Sequence, residues 1–551
     1  MHTLSLRSLI LGALLMLTAC GSALHIPTAT AIQTAISSSS IPFAVPQQPC
    51  GPRFTRTDLA HYTSGGNAGS ALYASNGSGL AIGDLTGDGR PDIAFGNIVG
   101  TVTIYINDGD FVFHPVQTTL TDVRSLAVVD ISGDGQRELV ATRRFAPPII
   151  GTIKNNVFSY TVFPDVFTAF YAMGWQDVNR DGQLDAVFGT YDNEQLQHQG
   201  IIFQTRGGGG VFVYTQNAGH YIGQRLNATA QALAIVFPDL NHDGQPDILV
   251  GNDFNEPDAA WTVTPAGYTP VTPFSQTTEN TMSLDVADYD NNGTLDIYAT
   301  DMKPYDQSVT TMARWLPAML KLTRPLSADD PQYTENTLQS WDGSAWHNTA
   351  YDLQLDATGW SWSAKFADLD NNGWQDLYVV NGMKANDLLS YLPLGELKEK
   401  DMLFMTDNAT SYTIANRGLS DTGSGRAASM VDLDGDGDLD VVVNPIDGYA
   451  QIYRNELCPT PSIEIVLIDP TTANRDAVGS VLTIHTGSQQ QTRTIQVGSG
   501  YLSGQSTSVH FGLGTSSGID SLDIIWPDGA HSELRAILAN RIYTITRKAT
   551  Q

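Results

Sequence analysis

The stretch Asp432-Leu-Asp434-Gly-Asp436-Gly-Asp438-Leu-Asp440 decides the fold, because six related segments occur upstream of it. Each copy places oxygen-bearing side chains at positions one, three, five and nine, and glycine at position six. Calcium takes about six to eight oxygen ligands, and a loop of alternate carboxylates tightened by glycine can supply them. The related segments are DLTGDGRPD from Asp84, DISGDGQRE from Asp130, DVNRDGQLD from Asp177, DLNHDGQPD from Asp239, DYDNNGTLD from Asp288 and DLDNNGWQD from Asp368.

The residues that flank each copy predict strands. Apolar, partly alternating segments such as LAIGDL precede the loops, and β-branched runs such as DVVVNP follow them. A helical EF-hand would also need glutamate at position twelve, where the copies carry Phe, Ala or Val. A single copy is explained equally well as an Asp-rich turn. A turn alone, however, does not need carboxylates at three or four spaced positions in seven copies, whose repulsion a bound cation would relieve.

The spacing of the copies predicts a ring of blades. The loops begin at residues 84, 130, 177, 239, 288, 368 and 432, and the shortest interval, 46 residues, is close to one four-stranded propeller blade. We therefore predict an all-β fold with a seven-bladed β-propeller over residues 50–458. The longer intervals predict insertions near 301–350 and 383–410. The first of them contains a short amphipathic helix over Ser308–Leu322, which either packs on the blade rim or carries binding specificity.

The first 20 residues predict a targeting signal. Arg7 precedes an apolar run from Leu9 to Leu17, and Leu17-Thr-Ala-Cys20 ends it with small residues and a cysteine. This segment resembles the bacterial lipoprotein lipobox, which implies cleavage before Cys20 and acylation of its thiol. The expected location is then the bacterial cell envelope, outside the cytoplasmic membrane, at the outer membrane or cell surface. The alternative is an ordinary secretory signal with a chance cysteine.

Residues 21–49 are rich in Ser, Thr, Ala, Pro and Gln and predict a disordered tether. The chain has three cysteines, which excludes a disulfide-dense scaffold and any cysteine zinc site. Cys50 precedes the first repeat and Cys458 follows the last, so a closed ring would bring them together. A disulfide between them would contribute on the order of 4–5 kcal/mol in the chain-entropy model. The alternative is two unrelated buried thiols.

The charge and the motifs exclude several functions. A net charge of −29 and the lack of a basic stripe argue against nucleic-acid binding. The same charge disfavours direct adsorption to anionic lipid, so we expect contact with a membrane only through the acyl group. The sequence has no GxSxG, HExxH or Walker motif. His510 lies near several serines, but a structural role is the stronger interpretation, and we assign no catalytic residue.

The repeats resemble the FG-GAP/VCBS family, whose DxDxDGxxD loops bind calcium within β-propellers. The segments from Gly359 to Gly373 and from Gly425 to Gly437 resemble the version found with a C-terminal ASPIC/UnbV domain. Residues 459–551 carry that domain's ordered motifs, which are NRDAVG from Asn474, GSGYLSGQ from Gly498, HFGLG from His510 and IWPDG from Ile525. The resemblance implies a small β domain after the propeller.

The resemblance also implies up to seven Ca²⁺ sites, with ligands at positions one, three, five and nine. Thr86 and Ser132 at position three, and Glu138 at position nine, depart from the family pattern, so we expect the first two sites to be weaker. The implied ligands are Asp84, Thr86, Asp88 and Asp92; Asp130, Ser132, Asp134 and Glu138; Asp177, Asn179, Asp181 and Asp185; Asp239, Asn241, Asp243 and Asp247; Asp288, Asp290, Asn292 and Asp296; Asp368, Asp370, Asn372 and Asp376; and Asp432, Asp434, Asp436 and Asp440.

Taken together, the sequence predicts a calcium-binding, lipid-anchored extracellular binding or adhesion module. Its rim loops would present a surface to a glycan or protein ligand, and we expect the protein to be a monomer. One alternative is an extracellular hydrolase or lyase that acts on polysaccharide and uses the same propeller as a scaffold. Another is a structural subunit of a surface complex.

Overall fold

The structure is a computed structural model that describes residues 34–44, 50–65, 72–198, 209–217, 219–254, 256–322 and 330–549. The predicted signal, Cys20 and most of the predicted tether lie outside these ranges. No helix in the described part of the chain is long and apolar enough to span a membrane.

The described chain opens with two strands, β1 Ile36–Pro42 and β2 Phe54–Thr63. Seven antiparallel sheets, blades 1 to 7, then follow in sequence. Blade 1 comprises β3 Leu80–Gly83, β4 Asp92–Phe95, β5 Thr101–Gly109 and β6 Val112–Thr121. Blade 2 comprises β7 Val123–Val129, β8 Glu138–Arg143, β9 Ile149–Lys154 and β10 Val157–Val162. Blade 3 comprises β11 Ala172–Gln176, β12 Asp185–Gly189, β13 Val211–Asn217 and β14 His220–Arg225, with helix α1 Asp192–His198 between β12 and β13. Blade 4 comprises β15 Ala232–Val236, β16 Ile248–Asn252, β17 Ala259–Thr264 and β18 Gly267–Val271.

The later blades carry the insertions. The blade 5 region contains β19 Thr277–Thr278, β20 Ser283–Ala287, β21 Asp296–Thr300, β22 Met302–Lys303, α2 Val309–Leu322, β23 Gln332–Tyr333, β24 Thr337–Trp341 and β25 Trp346–Asn348. The blade 6 region contains β26 Gly359–Ala367, β27 Asp376–Asn381, β28 Met383–Lys384, α3 Asn386–Leu389, β29 Glu396–Leu397, β30 Met402–Met405 and β31 Thr413–Ala415. Blade 7 comprises β32 Gly425–Val431, β33 Asp440–Pro445 and β34 Gly448–Asn455. Two short 3-10 helices span Ala74–Asn76 and Pro393–Gly395. The all-β, seven-bladed fold and the helix in the first insertion are thereby confirmed.

The ring closes through its first strands and through the N-terminus. The first strands of neighbouring blades pack against each other around the whole ring, from β3 to β32 and back to β3. Strand β2 pairs with β34 and becomes the outer strand of blade 7, so the last blade is built from both ends of the propeller chain. Beside this junction Cys50 and Cys458 form a disulfide, with their Cα atoms 4.6 Å apart.

The strand order sets two different faces. Each acidic loop joins the first strand of a blade to the second, so all seven loops lie on one face, which we call the loop face. The connections from the second strand to the third, and from each blade to the next, lie on the opposite face, which we call the insertion face. The described parts of the insertions at 190–210, 301–336 and 382–401 therefore share the insertion face.

A small β domain follows the propeller, as the sequence predicts. Its strands are β35 Ser462–Ile468, β36 Val481–Thr486, β37 Gln489–Thr494, β38 Val509–Gly512, β39 Gly518–Ile525, β40 His531–Leu538 and β41 Arg541–Arg547. They form two four-stranded sheets, and one of these takes β1 as its edge strand beside β41. The prediction of a disordered tether over 21–49 is therefore wrong for residues 36–42. An edge strand pairs through its backbone, and a Ser-rich segment can do this without apolar side chains.

The C-terminal domain is seated on the loop face of the propeller. One continuous hydrophobic cluster joins Trp175 and Phe188 of blade 3 to Ile463, Leu482 and Trp526 of the domain. Arg137 also makes two hydrogen bonds to Asp476, at 2.9 and 2.7 Å. The two units therefore share a core and a polar rim.

Residues 498–505 of this domain enter the central channel of the ring. Gly504 exchanges backbone hydrogen bonds with β3, Gly500 donates to Leu284 O at 2.8 Å, and Leu502 O accepts from Leu126 N at 3.4 Å. Tyr501 is fully buried, and its hydroxyl donates to Asn76 O at 2.7 Å. Glycine is needed at 504, because a Cβ there would lie 2.9 Å from the Ala127 Cα atom. The segment fills the channel from the loop face.

We expect Tyr501→Ala to destabilise the protein and to loosen the C-terminal domain. The substitution would leave an aromatic-sized cavity among Trp362, Tyr171 and Arg124, which typically costs about 3–5 kcal/mol. The measurement is the melting temperature together with limited proteolysis between residues 459 and 470. Tyr351→Ala, at a largely exposed tyrosine, is the matched control. Equal protease resistance in both variants would contradict the role of the channel segment.

Candidate metal centres

The aspartate at position one of each acidic loop accepts hydrogen bonds from backbone amides of the same loop. In blade 7 the Asp432 carboxylate accepts from Gly435 N at 2.7 Å and from Gly437 N at 2.8 Å. The position-six glycine has a φ between 78° and 94° in all seven copies. Such values disfavour side chains with a Cβ and explain the invariant glycine of the repeat. The seven glycines are Gly89, Gly135, Gly182, Gly244, Gly293, Gly373 and Gly437.

The side chain at position five caps the second half of the loop. In each copy it accepts a hydrogen bond from the backbone N–H two residues later, at 2.6–3.1 Å. These seven side chains are Asp88, Asp134, Asp181, Asp243, Asn292, Asn372 and Asp436. Their role as Asx-type turn acceptors is independent of any cation.

The acid at position nine ties the loop to its blade. Asp440, for example, accepts from Leu433 N at 2.9 Å and from Asn455 N, at the end of β34, at 2.8 Å. Five further copies bond the position-two amide in the same way, through Asp92, Glu138, Asp185, Asp247 and Asp376. Blade 5 is the exception, because both carboxylate oxygens of Asp296 are buried and have no hydrogen-bond partner.

Three of the seven loops bring three carboxylates together. In blades 5, 6 and 7 one oxygen from each of positions one, three and nine lies within 4.8 Å of the others. These triads are Asp288, Asp290 and Asp296; Asp368, Asp370 and Asp376; and Asp432, Asp434 and Asp440. Blades 1 to 4 carry a neutral oxygen at position three, from Thr86, Ser132, Asn179 and Asn241. The Asn179 amide, for instance, donates to Asp181 at 3.1 Å. The loops of blades 1 and 2 retain Asp84 and Asp130 at position one, and those of blades 3 and 4 retain Asp177 and Asp239.

The electrostatics of the triads fit a hard cation. Burial, and then the charges of Asp290 and Asp288, raise the pKa of Asp296 from 3.8 to about 9. Burial, and then the charge of Asp370, raise the pKa of Asp368 to about 7. The side chains of Asp288 and Asp370 each leave one buried oxygen without a hydrogen bond. Oxygens that are close together, buried and unpartnered are the ligand set that calcium prefers, and a divalent ion would relieve their repulsion.

Arginines neutralise part of this charge. Arg454 Nη2 lies 2.5 Å from Asp434 Oδ2, an ion pair without hydrogen-bond geometry, and Arg417 Nη2 lies 3.3 Å from Asp370 Oδ2. Asp290 has no ion pair within the described residues. Among the three triads, that of blade 5 has no ion pair within the described residues and has the most unpartnered oxygens.

The C-terminal domain covers the loops of blades 5, 6 and 7. Thr492 N donates to Asp288 Oδ2 at 3.1 Å, and Gly514 N donates to Asn371 O at 2.8 Å. Ser462 Oγ donates to Gly437 O at 2.8 Å. Arg493 lies near both Asp288 and Asp368, whose charges oppose the lowering of its pKa by burial. The loops that carry the acidic triads therefore form part of the domain interface.

Sequence reasoning missed Arg493, which stands in a polar strand, QQQTRT, with no pattern that marks it. It also missed Lys365, whose buried ammonium donates to Asp285 and Gln505 at 2.8 and 2.7 Å. His510 has the structural role expected of it, because its Nε2 lies 3.1 Å from Gly437 O. Burial lowers the pKa of His510 to about 4, so the ring is neutral and Nε2–H donates.

Fold and loops together define a β-propeller protein whose blades share one acidic loop repeat. Residues 59–141, 177–250 and 239–299 match the FG-GAP-like repeat family, and residues 470–551 match the ASPIC and UnbV family. The chain thus carries FG-GAP-like repeats and, after them, a C-terminal ASPIC/UnbV domain.

Similar solved structures include two crystal structures of BBS1N in complex with ARL6DN. The one soaked with mercury is 11% identical, covers 73% of this chain and 96% of that chain, and has a TM-score of 0.40. The one soaked with lead is 9% identical, with the same coverages and a TM-score of 0.39. No curated protein matches the chain significantly.

Calcium should stabilise the protein more at high pH than at low pH. Without a cation, the folded-state pKa of Asp296, about 9, exceeds its ordinary value of 3.8, so the folded protein holds protons that the unfolded chain releases. The contribution of Asp296 to the free energy of unfolding is therefore greatest below about pH 4 and decreases as pH rises towards 9. Calcium replaces those protons. We expect the gap in melting temperature between calcium and EDTA samples to widen from pH 5 to pH 8, and a constant gap would contradict a carboxylate site.

Asp296→Asn should change stability in opposite directions with and without calcium. In EDTA at pH 8 the melting temperature should rise or stay constant, because the amide is neutral without the proton that Asp296 must take up when the wild type folds at this pH. When calcium is added, the melting temperature of the variant should rise less than that of the wild type, because one ligand oxygen and its charge are lost. Thermal melts in both buffers test this, with Asp352→Asn, at an exposed aspartate, as the control. A uniform loss in both buffers would indicate a purely structural role.

Proposed function

We propose that this protein is a calcium-stabilised binding or adhesion module, held at the bacterial surface by a lipid on Cys20. In this proposal the triads of blades 5 to 7 hold the first calcium ions, and the weaker loops of blades 1 to 4 hold further ones. The bound ions supply positive charge at the interface between the propeller and the C-terminal domain. The chain's own residues fix the loop backbone and seat the domain.

The observation that carries the binding function is the distribution of exposed aromatic side chains. Eight large aromatic side chains are exposed among the described residues, and seven of them lie on the insertion face or at its rim. These seven are Tyr62, Phe167, Tyr305, Tyr333, Tyr351, Tyr391 and Tyr449. Exposed tyrosines combine apolar area with a hydroxyl and are enriched where proteins bind partners. The C-terminal domain covers part of the loop face, whereas the insertion face lies on the opposite side of the ring from it.

The ligand class in this proposal is an extracellular glycan or protein. Tyr62 and Tyr449 form an edge-to-face pair with ring centroids 5.3 Å apart, and both rings reach solvent. A rigid aromatic pair of this kind can stack on a sugar ring or anchor a protein loop at low entropic cost. Anchoring through Cys20 accounts for the membrane link without requiring a negatively charged protein to adsorb to anionic lipid.

We expect the double variant Tyr62→Ala/Tyr449→Ala to lose most binding on a printed array of bacterial and plant polysaccharides. Tyr160→Ala, at the exposed aromatic outside the insertion face, should bind like the wild type. Turnover of the same polysaccharides would instead support the enzyme alternative. Cell fractionation of Cys20→Ser tests the anchor, and the protein should leave the membrane fraction. If both tyrosine variants bound the polysaccharides as well as the wild type does, the insertion face would not be the binding surface.

A further inference from the structure

Helix α2 presents an apolar stripe to solvent on the insertion face. Val309 is 87% exposed, Leu316 49% and Leu320 71%. With Met312, Ala313 and Pro317 they cover about 140° of the helix circumference, at 100° per residue. Of the 22 large exposed apolar side chains in the described chain, seven belong to residues 305–320 and to the adjoining residues 391–394. The apolar surface is therefore concentrated here.

The opposite side of α2 is firmly packed, so the exposed stripe is held in place. Trp315 and Ala318 are buried, and Trp315 lies 5.4 Å from Trp360, measured between ring centroids. Tyr391 Oη donates to Arg314 O at 2.8 Å, and Lys321 Nζ donates to Leu388 O at 3.0 Å. The sequence allows the helix either to pack on the rim or to carry specificity, and the structure shows one packed side and one exposed side.

Leu394, beside α2, is an independent sign that this surface is displayed. It is 75% exposed and adopts a left-handed backbone conformation, with φ 59° and ψ 15°. A bulky residue in this conformation costs free energy, and such strain persists mainly where the surrounding structure needs it. Leu394 is thus held in an exposed position, three residues from Tyr391, which bonds to α2.

The stripe is complementary to itself in an antiparallel pairing. About a two-fold axis near residue 314, Val309 of one copy faces Leu320 of another, and Met312 faces Leu316. Asp306 precedes the N-terminus of α2, and Lys321 lies in its last turn. Antiparallel pairing places these opposite charges together twice and also opposes the helix dipoles favourably. Ala313 is small enough to allow close approach of the backbones.

We propose that α2 is a homodimer contact, in which the stripes of two copies of this chain pack antiparallel. This departs from the expected monomer. A membrane is a poorer occupant, because the chain carries a net charge of −29 and Asp306 borders the stripe. One helix pair with flanking residues is smaller than the standard interface of roughly 1,200–2,000 Å², so we expect a weak, concentration-dependent association.

The position of α2 determines where the two N-terminal segments lie in the dimer. The helix lies on the insertion face, whereas β1, which follows the predicted anchor, belongs to the C-terminal domain on the loop face. Pairing through α2 thus places the two N-terminal segments at opposite ends of the dimer, as in a link between two surfaces. This second part rests on the proposed anchoring through Cys20, whereas the pairing itself does not.

Sedimentation of the full chain carrying Cys20→Ser, in calcium buffer from 1 to 200 μM, tests the pairing. We expect a concentration-dependent dimer that strengthens with salt, because screening reduces the repulsion between two acidic copies. Leu316→Asp should weaken the association at least tenfold, whereas Val157→Asp, at an exposed apolar residue of blade 2, should not. A monomer at 200 μM, or a dimer unaffected by Leu316→Asp, overturns the proposal.

Two further measurements fix the register and the orientation. Ala313→Cys should form an intermolecular disulfide, whereas Thr269→Cys, exposed on β18, should not. The acylated protein on phosphatidylcholine vesicles should cluster them unless Leu316 is changed. Binding of the Cys20→Ser protein to those vesicles would favour a lipid occupant and overturn the homodimer.

Discussion

Buried carboxylates that lie beside one another are the constraint on which the rest of this structure depends. Each blade turns at a loop whose first acid gathers backbone amides and whose last acid ties the loop to the blade. These side chains cannot be exchanged for apolar ones, because the backbone donors would then be left without partners. The negative charge that results is concentrated at one end of the ring. The chain carries 58 acidic and 29 basic residues, so it cannot balance this charge alone.

The C-terminal domain is placed where this charge is greatest. It contributes Arg493 near two of the triads, backbone donors such as Thr492 N to their oxygens, and a segment that fills the channel behind them. Propeller and domain share one hydrophobic cluster, and bound cations would strengthen the same interface. A ring that is plugged from the loop face in this way keeps its insertion face open for contacts with other molecules.

Much of this architecture could be predicted from the sequence, because the acidic repeat ties local chemistry to a fixed strand–loop–strand unit. Its count and spacing gave seven blades, and the pattern before Leu322 indicated α2. Other features have no such signature. Strand β1 pairs through its backbone, so its Ser-rich sequence looks like a tether. Arg493 and Lys365 sit in strands whose burial depends on a distant domain. The motif around Tyr501 was recognisable, but only the closed ring shows that it occupies the axis.

The pairing of β1 with β41 has a mechanical consequence. Any pull on the residues that precede Ile36 acts first on seven residue pairs between β1 and β41, at the edge of the C-terminal sheet. If this strand peeled away, the load would pass to Cys50 and reach Cys458 through a covalent bond. A load applied between the N-terminal segment and the C-terminal domain would then bypass residues 51–457, which form a covalently closed loop between these two cysteines. The edge strand would act as a yielding element, and the propeller would keep its shape under traction.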